Sequence, residues 1–258
     1  MKDDKSDPFA YSLAFQLMCA LLVGLFAFTW GFVALPILEL PFNFLVATVL
    51  YAAGTLLVLK ALQTTEASKT TILGSSSALW TIIVALIFLG ESFDLSKVIG
   101  VVVILGGIVF VSLKRESFSS NRGDLYVLGS ALCYGVAFAN DTFILRQSDA
   151  LSYLAVAFLL PGLLILVLRP KTIKDLKLFL NPRVLLRMTI MSIFYSASAI
   201  TIYLAYQKGG AASQLAPIGQ SVVILTVLLA AIFLGERENL GKKLVAATMT
   251  TVGILLLR

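Results

Sequence analysis

Asp141 is the carboxylate that lies deepest within an apolar run, in the stretch Phe138-Ala139-Asn140-Asp141-Thr142. A charged side chain at the centre of a membrane span costs about 2.5–3.5 kcal/mol on insertion scales, and it normally faces a bundle interior or a water-filled path. Two chemistries suit it there: contact with a substrate amine, or carriage of a proton. The structural alternative is a place near the outer interface, paired with Arg146 or capping a bend.

Two polar clusters occupy equivalent places in the chain, Gly74-Ser75-Ser76-Ser77 and Gly219-Gln220-Ser221. Ser75, Ser76, Gln220 and Ser221 offer hydroxyl and amide hydrogen bonds to a polar substrate where the backbone is unwound. The competing reading is that small residues let helices pack closely. Trp80, Tyr134, Tyr195 and Tyr203 are candidate aromatic walls of a cavity or interfacial anchors, and Gln16 is a further polar candidate. Ala52-Ala53-Gly54 and Ala197-Ser198-Ala199 read as packing seams. Glu91 and Glu236 stand beside lysines at the ends of apolar runs, where they set topology and loop geometry.

Other chemistries are excluded by residue type. The chain has no histidine, which removes His-ligated metal sites and His-based triads. Cys19 and Cys133 sit inside apolar runs as small hydrophobes. There is no G-x-S-x-G, H-E-x-x-H or Walker loop, and no second intramembrane carboxylate close to Asp141. The expectation is a protein that is not an enzyme and needs neither cofactor nor metal.

The elements that must position these residues are spans. Of 258 residues, 59% are apolar and 13% charged, against about 45–50% and about 25% in soluble domains. The excess faces lipid. A spanning helix needs about 20 mostly apolar residues, and nine runs qualify: Phe9–Leu35, Phe44–Leu62, Thr70–Leu89, Val98–Leu113, Leu125–Leu145, Leu151–Leu168, Leu185–Tyr206, Ala211–Leu234 and Leu244–Leu257. The first run is too long for a signal peptide, whose apolar region is about 7–15 residues. The longest connection, Arg169–Arg187, holds a short amphipathic interfacial helix at Lys171–Leu180. The net charge of +6 comes from cations in loops, so it reads as the positive-inside rule rather than nucleic-acid binding. Most of the 20 basic residues fall inside when the N-terminus is cytoplasmic, and nine helices then place the C-terminus outside a cell (inner) membrane.

The chain also repeats itself. Ala67–Lys97 aligns without a gap on Ala212–Lys242, at an offset of 145 residues, with 13 of 31 positions identical. The shared run is Ile-Phe-Leu-Gly-Glu, at 87–91 and 232–236. Five helices separate equivalent points, so the copies run in opposite directions. Inverted repeats are common in secondary transporters, with the substrate site near the midplane. The expected fold is therefore all-α and integral to the membrane, with about nine helices in two inverted repeats, residues 1–115 and 123–258. The first copy holds four runs and the second five, so the first copy lacks its first helix.

The repeated Ala-Ser … Gly-x-Ser … Ile-Phe-Leu-Gly-Glu … Lys pattern resembles the EamA-like family of the drug/metabolite transporter superfamily. Gly90-Glu91 with Lys97 and Gly106-Gly107 matches its pattern in one half, and Gly235-Glu236 with Lys242 and Gly253 in the other. The family's frequent proline before the Glu is replaced by Ala78 and Val223. The resemblance implies ten helices in two halves, the first of them lining a central cavity, and transport of a small polar or amphipathic metabolite by alternating access. The alternative is a non-transporting membrane subunit or scaffold that lost that helix. The expected partners are a small-molecule substrate and the bilayer, with a homodimer left open and no nucleic acid.

Overall fold

The computed structural model describes residues 7–88, 95–112, 122–209, 222–236 and 238–256, and every regular element among them is helical. Lipid dictates this, because a spanning backbone must satisfy its own hydrogen bonds. The helices are α1 (Pro8–Trp30), α2 (Pro41–Thr64), α3 (Ala67–Gly74), α4 (Ser77–Phe88), α5 (Leu95–Ser112), α6 (Arg122–Leu145), α7 (Ala150–Leu168), α8 (Thr172–Asp175), α9 (Pro182–Gln207), α10 (Val223–Phe233) and α11 (Leu240–Leu256). Six segments are long and apolar enough to span: α1, α2, α3 with α4, α6, α7 and α9. Val98–Gly107 and Val223–Phe233 are shorter apolar helices.

Local chemistry sets the ends. Asp7 accepts a hydrogen bond from the Phe9 amide, and Pro8 opens α1. The helix stops at Trp30, short of the Leu35 end of the apolar run, because Gly31 takes φ +108° and returns its N–H to the Ala27 carbonyl. The expected interfacial helix is one α-turn, α8, followed by a 3-10 turn at Leu176–Leu180. α9 reverses the polarity of a soluble helix: Leu186, Ile190 and Phe194 are exposed, while Ser192, Ser196, Tyr203 and Tyr206 are buried.

Two compact units divide the chain. One takes Lys60–Ala139 and Ala211–Arg258, around a core of Ile72, Leu73, Ile82, Ile104, Val127, Val223, Val227 and Ile254. Within it α5 packs on α11 and α3 on α10. A Cβ on Gly253 would stand 2.7 Å from the Gly100 carbonyl oxygen, so the α5–α11 approach needs the bare glycine. The other unit takes Asp3–Leu59 and Asn140–Gly210, and there α1 packs on α7 and α9. The 145-residue offset carries α5 onto α11 and α1 onto α7. Each unit therefore pairs helices from both copies of the repeat.

In the first unit, Glu236 closes α3. Gly235 turns the chain at φ +69°, and the Glu236 carboxylate accepts from the Ala67 amide (2.8 Å), the Ser68 amide (2.9 Å) and the Ser68 hydroxyl (2.6 Å). Lys243 pairs with Glu66 at 2.5 Å beside it. This is the loop-fixing place expected for Glu236; its counterpart Glu91 lies outside the described residues. Burial pushes the Glu236 carboxyl up, but the hydrogen bonds from Ser68 and Ala67 and the Lys243 charge outweigh it, leaving it below its ordinary value. A depressed carboxylate gives stability that is present above its unfolded pKa and lost as pH falls through the folded one. Glu236→Gln is expected to lose about 1 kcal/mol at neutral pH and little on the acid side, which thermal unfolding across a pH series measures.

Candidate functional site

Asp141 stands on the last turns of α6 and is fully buried, at 0% exposure. Three phenols from three other helices converge on it. Tyr153 of α7 donates to Oδ1 at 2.6 Å, and Tyr51 of α2 and Tyr203 of α9 both donate to Oδ2. The Tyr51 and Tyr203 oxygens are 3.1 Å apart. All four residues belong to the second compact unit. Hydrogen bonds to a charged group contribute about 1.5–3 kcal/mol each, so this network suits an ionised acceptor. No ion pair reaches Asp141 among the described residues.

The elements hold each phenol by ordinary local means. Asp149 caps α7, accepting from the Ser152 amide and hydroxyl, and this fixes Tyr153 on the first turn. Burial raises the Asp149 carboxyl, but the hydrogen bonds from Ser152 and Gln207 more than offset it, so it sits below its ordinary value. Phe44 packs edge-on against Tyr153, with centroids 5.7 Å apart. Tyr203 stacks on Tyr153 and meets Tyr206 edge-on. One residue from the carboxylate, Asn140 and Asn43 join α6 to α2: the Asn43 amide donates to Asn140 Oδ1 (2.7 Å), and the Asn140 amide to the Asn43 carbonyl (3.0 Å).

The other expected site residues do not all join this cluster. Ser75 and Ser76 form the turn between α3 and α4, so the backbone does break there. Their hydroxyls donate to the carbonyls of Ile72 and Leu73, at 2.6 and 2.7 Å, which commits both protons to their own helix. Trp80 is partly exposed on α4 in the first unit. Tyr195 is exposed on α9, with its ring against Phe15 and Phe158. Gln220 and Ser221 lie outside the described residues. Arg146 is exposed and forms no ion pair with Asp141. Gln16 is buried and donates to Thr55 at 3.1 Å.

Tyr51 and Tyr153 are the residues that sequence reading missed. For Tyr51 the available signal was depth, since a phenol well inside an apolar run needs a buried acceptor; Tyr153, third in its run, carried no such signal. The arrangement can hold one exchangeable positive charge, either a proton on the carboxylate or a cation beside it. Among the described residues no cluster of three or more His, Cys, Asp or Glu is placed to bind a metal.

Comparison with known proteins agrees with this architecture. Solute carrier family 35 member F5 of Macaca fascicularis is 36% identical over 83 residues, which is 30% of this chain and 19% of that protein. The same protein from Pongo abelii and Mus musculus matches at 36%, over 16% of each. The matched stretch is less than a fifth of the length of these curated relatives. A solved crystal structure superposes with a TM-score of 0.69 at 13% identity, covering 99% of this chain and 89% of the other, and supports the fold alone. Residues 4–113 and 121–258 match the EamA-like transporter family, and the chain, a multi-pass helical membrane protein, belongs to that family.

Proposed function

We propose that the protein is a secondary transporter of a small polar or amphipathic metabolite, working by alternating access between its inverted repeats. The observation that carries the reading is the Asp141 cluster. A carboxylate inside a membrane is costly to keep, and one held by three phenols on three other helices is of the kind that marks substrate, ion or proton pathways. Family membership supports transport in general, and the inverted repeat supports two related access states. Asp141, with Tyr51, Tyr153 and Tyr203, is the centre of this reading. N-in topology is part of the same proposal. The test is uptake of a metabolite panel into proteoliposomes, with and without a proton gradient. Gradient-dependent uptake of at least one compound is the expected result. Absence of flux across the panel, by a protein shown to be folded, would favour a non-transporting subunit.

A further inference from the structure

The second unit contains a buried polar seam that the cluster above does not use. On α1, Ser12 and Gln16 are one turn apart and 0% and 2% exposed; on α9, Ser192 and Ser196 are one turn apart and 0% and 4% exposed. Ser12 Oγ, Gln16 Oε1, Ser192 Oγ and Ser196 Oγ lack a hydrogen bond of ordinary geometry among the described residues; the polar neighbour of the two α9 serines is the Cys19 thiol of α1, a weak partner that leaves their hydrogen-bonding capacity largely unused. A hydroxyl inside a helix usually escapes this by bonding the carbonyl four residues back. Thr48, Thr55 and Thr201 of this protein do so, to Phe44, Tyr51 and Ala197. The serines of the seam do not. Each unpaired buried polar group costs about 1–3 kcal/mol, and such sites in folded proteins are normally filled by water.

The seam leads to the carboxylate. α1 packs on α9, and Gln16 reaches Thr55 of α2. Four of the five buried residues of α9 are polar: Ser192, Ser196, Tyr203 and Tyr206, with Met188 the exception. From Ser192 to Tyr203 the helix rises about 16 Å, roughly half the hydrocarbon core. Side chains lean toward the helix N-terminus, so Tyr203 leans back toward Ser196 while its hydroxyl meets Asp141.

We propose that the α1–α2–α9 seam holds a file of water that carries protons to Asp141, which makes this carboxylate the coupling site. The inference rests on the transport reading and names its coupling ion. In the loading step a hydronium in the file breaks an O–H bond, an O–H bond forms on an Asp141 oxygen, and neutral water remains. Release reverses both changes. The groups facing Asp141 are Tyr51 from α2, Tyr153 from α7, Tyr203 from α9 with Tyr206 behind it, and Asn140 on its own helix. No lysine or arginine forms an ion pair with it among the described residues.

Infrared difference spectroscopy on the full chain in lipid tests this without a substrate, so its outcome is separable from that of the flux assay. Acidification is expected to raise the carbonyl band of a protonated carboxylic acid, and Asp141→Asn to remove that band. After a pH jump, Gln16→Leu with Ser196→Val should reach the same amplitude about tenfold more slowly, while Thr201→Val, on the exposed face of α9, should match the parent. Ser192→Ala and Ser196→Ala report on the water itself. A dry seam gains stability when an unpaired hydroxyl is removed, whereas a wet one loses a water partner and its Tm falls. An Asp141 band that never appears, an unchanged rate in the seam variant, or a raised Tm in the alanine variants would overturn the proposal.

Discussion

An Asp141→Asn protein is expected to insert and fold, yet to lose gradient-driven flux by about 100-fold, the equivalent of one or two hydrogen bonds to a charged group. Asparagine keeps the shape of the side chain. Its Oδ1 still accepts from one phenol, and its amide can donate to the oxygens of Tyr51 or Tyr203, which lie 3.1 Å apart and can each reverse their role. What is lost is the ability to carry a charge and give it up. Asp141→Leu is a different experiment. It removes the shared acceptor of Tyr51, Tyr153 and Tyr203; a buried hydroxyl that loses its acceptor costs about 1–3 kcal/mol, and the variant is expected to lower the yield of folded protein sharply. Flux and thermal unfolding measured side by side on the two variants separate the chemical role from the structural one. Equal flux from Asp141→Asn and the parent would remove Asp141 from the transport cycle.

The largest loss of stability is expected at Gly135. On α6 this residue meets α4 so closely that a Cβ would lie 2.4 Å from the Ser77 carbonyl oxygen and 2.5 Å from Trp80 Cβ. The first obstacle is backbone, so no rotamer change relieves it. Thr81 ties the same spot by donating to the Gly135 carbonyl at 3.0 Å. Gly135→Leu must push the helices apart, breaking that bond and opening the buried contacts around Ala78 and Ile82. The expected cost is about 3 kcal/mol or more, seen as early thermal unfolding and loss of a monodisperse peak in detergent. Gly24→Ala is the control. No atom lies within 4 Å of its added Cβ, so it should be neutral or stabilise α1 by up to about 1 kcal/mol.

The sequence made the spans legible because lipid leaves an apolar segment of sufficient length little choice but a helix. Each of the nine runs overlaps a helix, from Phe9–Leu35 on α1 to Leu244–Leu257 on α11. Helix ends were less legible, since they depend on single residues. Gly31 ends α1 inside the apolar run, and the Ser75-Ser76 turn divides the third run in two. At the site, Asp141 announced itself by its cost. Of its partners only Tyr203 was a candidate, because Tyr51, Tyr153 and Tyr203 come together through the packing of α2, α7 and α9 around α6, which no local spacing encodes. Tyr195 shows the converse. It had the right type and depth, but it occupies the exposed side of α9, one position from Ser196 on the buried face.

The pairing of α5 with α11 and of α1 with α7 has an evolutionary consequence. In these two pairs each helix packs against its counterpart in the other copy of the repeat. A single-copy ancestor would have made these same contacts with a second, oppositely inserted molecule, and any pocket would have appeared twice, related by symmetry. Fusion turned that bimolecular meeting into an intramolecular one, at an effective concentration of about the millimolar range, and left the copies free to diverge. The divergence is visible around the carboxylate: the counterpart of Tyr51 is Ser196, that of Tyr203 is Val58, and that of Gln16 is Pro161. A symmetric ancestor would have possessed paired, identical polar centres, whereas the fused descendant builds its Asp141 network from residues whose counterparts have changed.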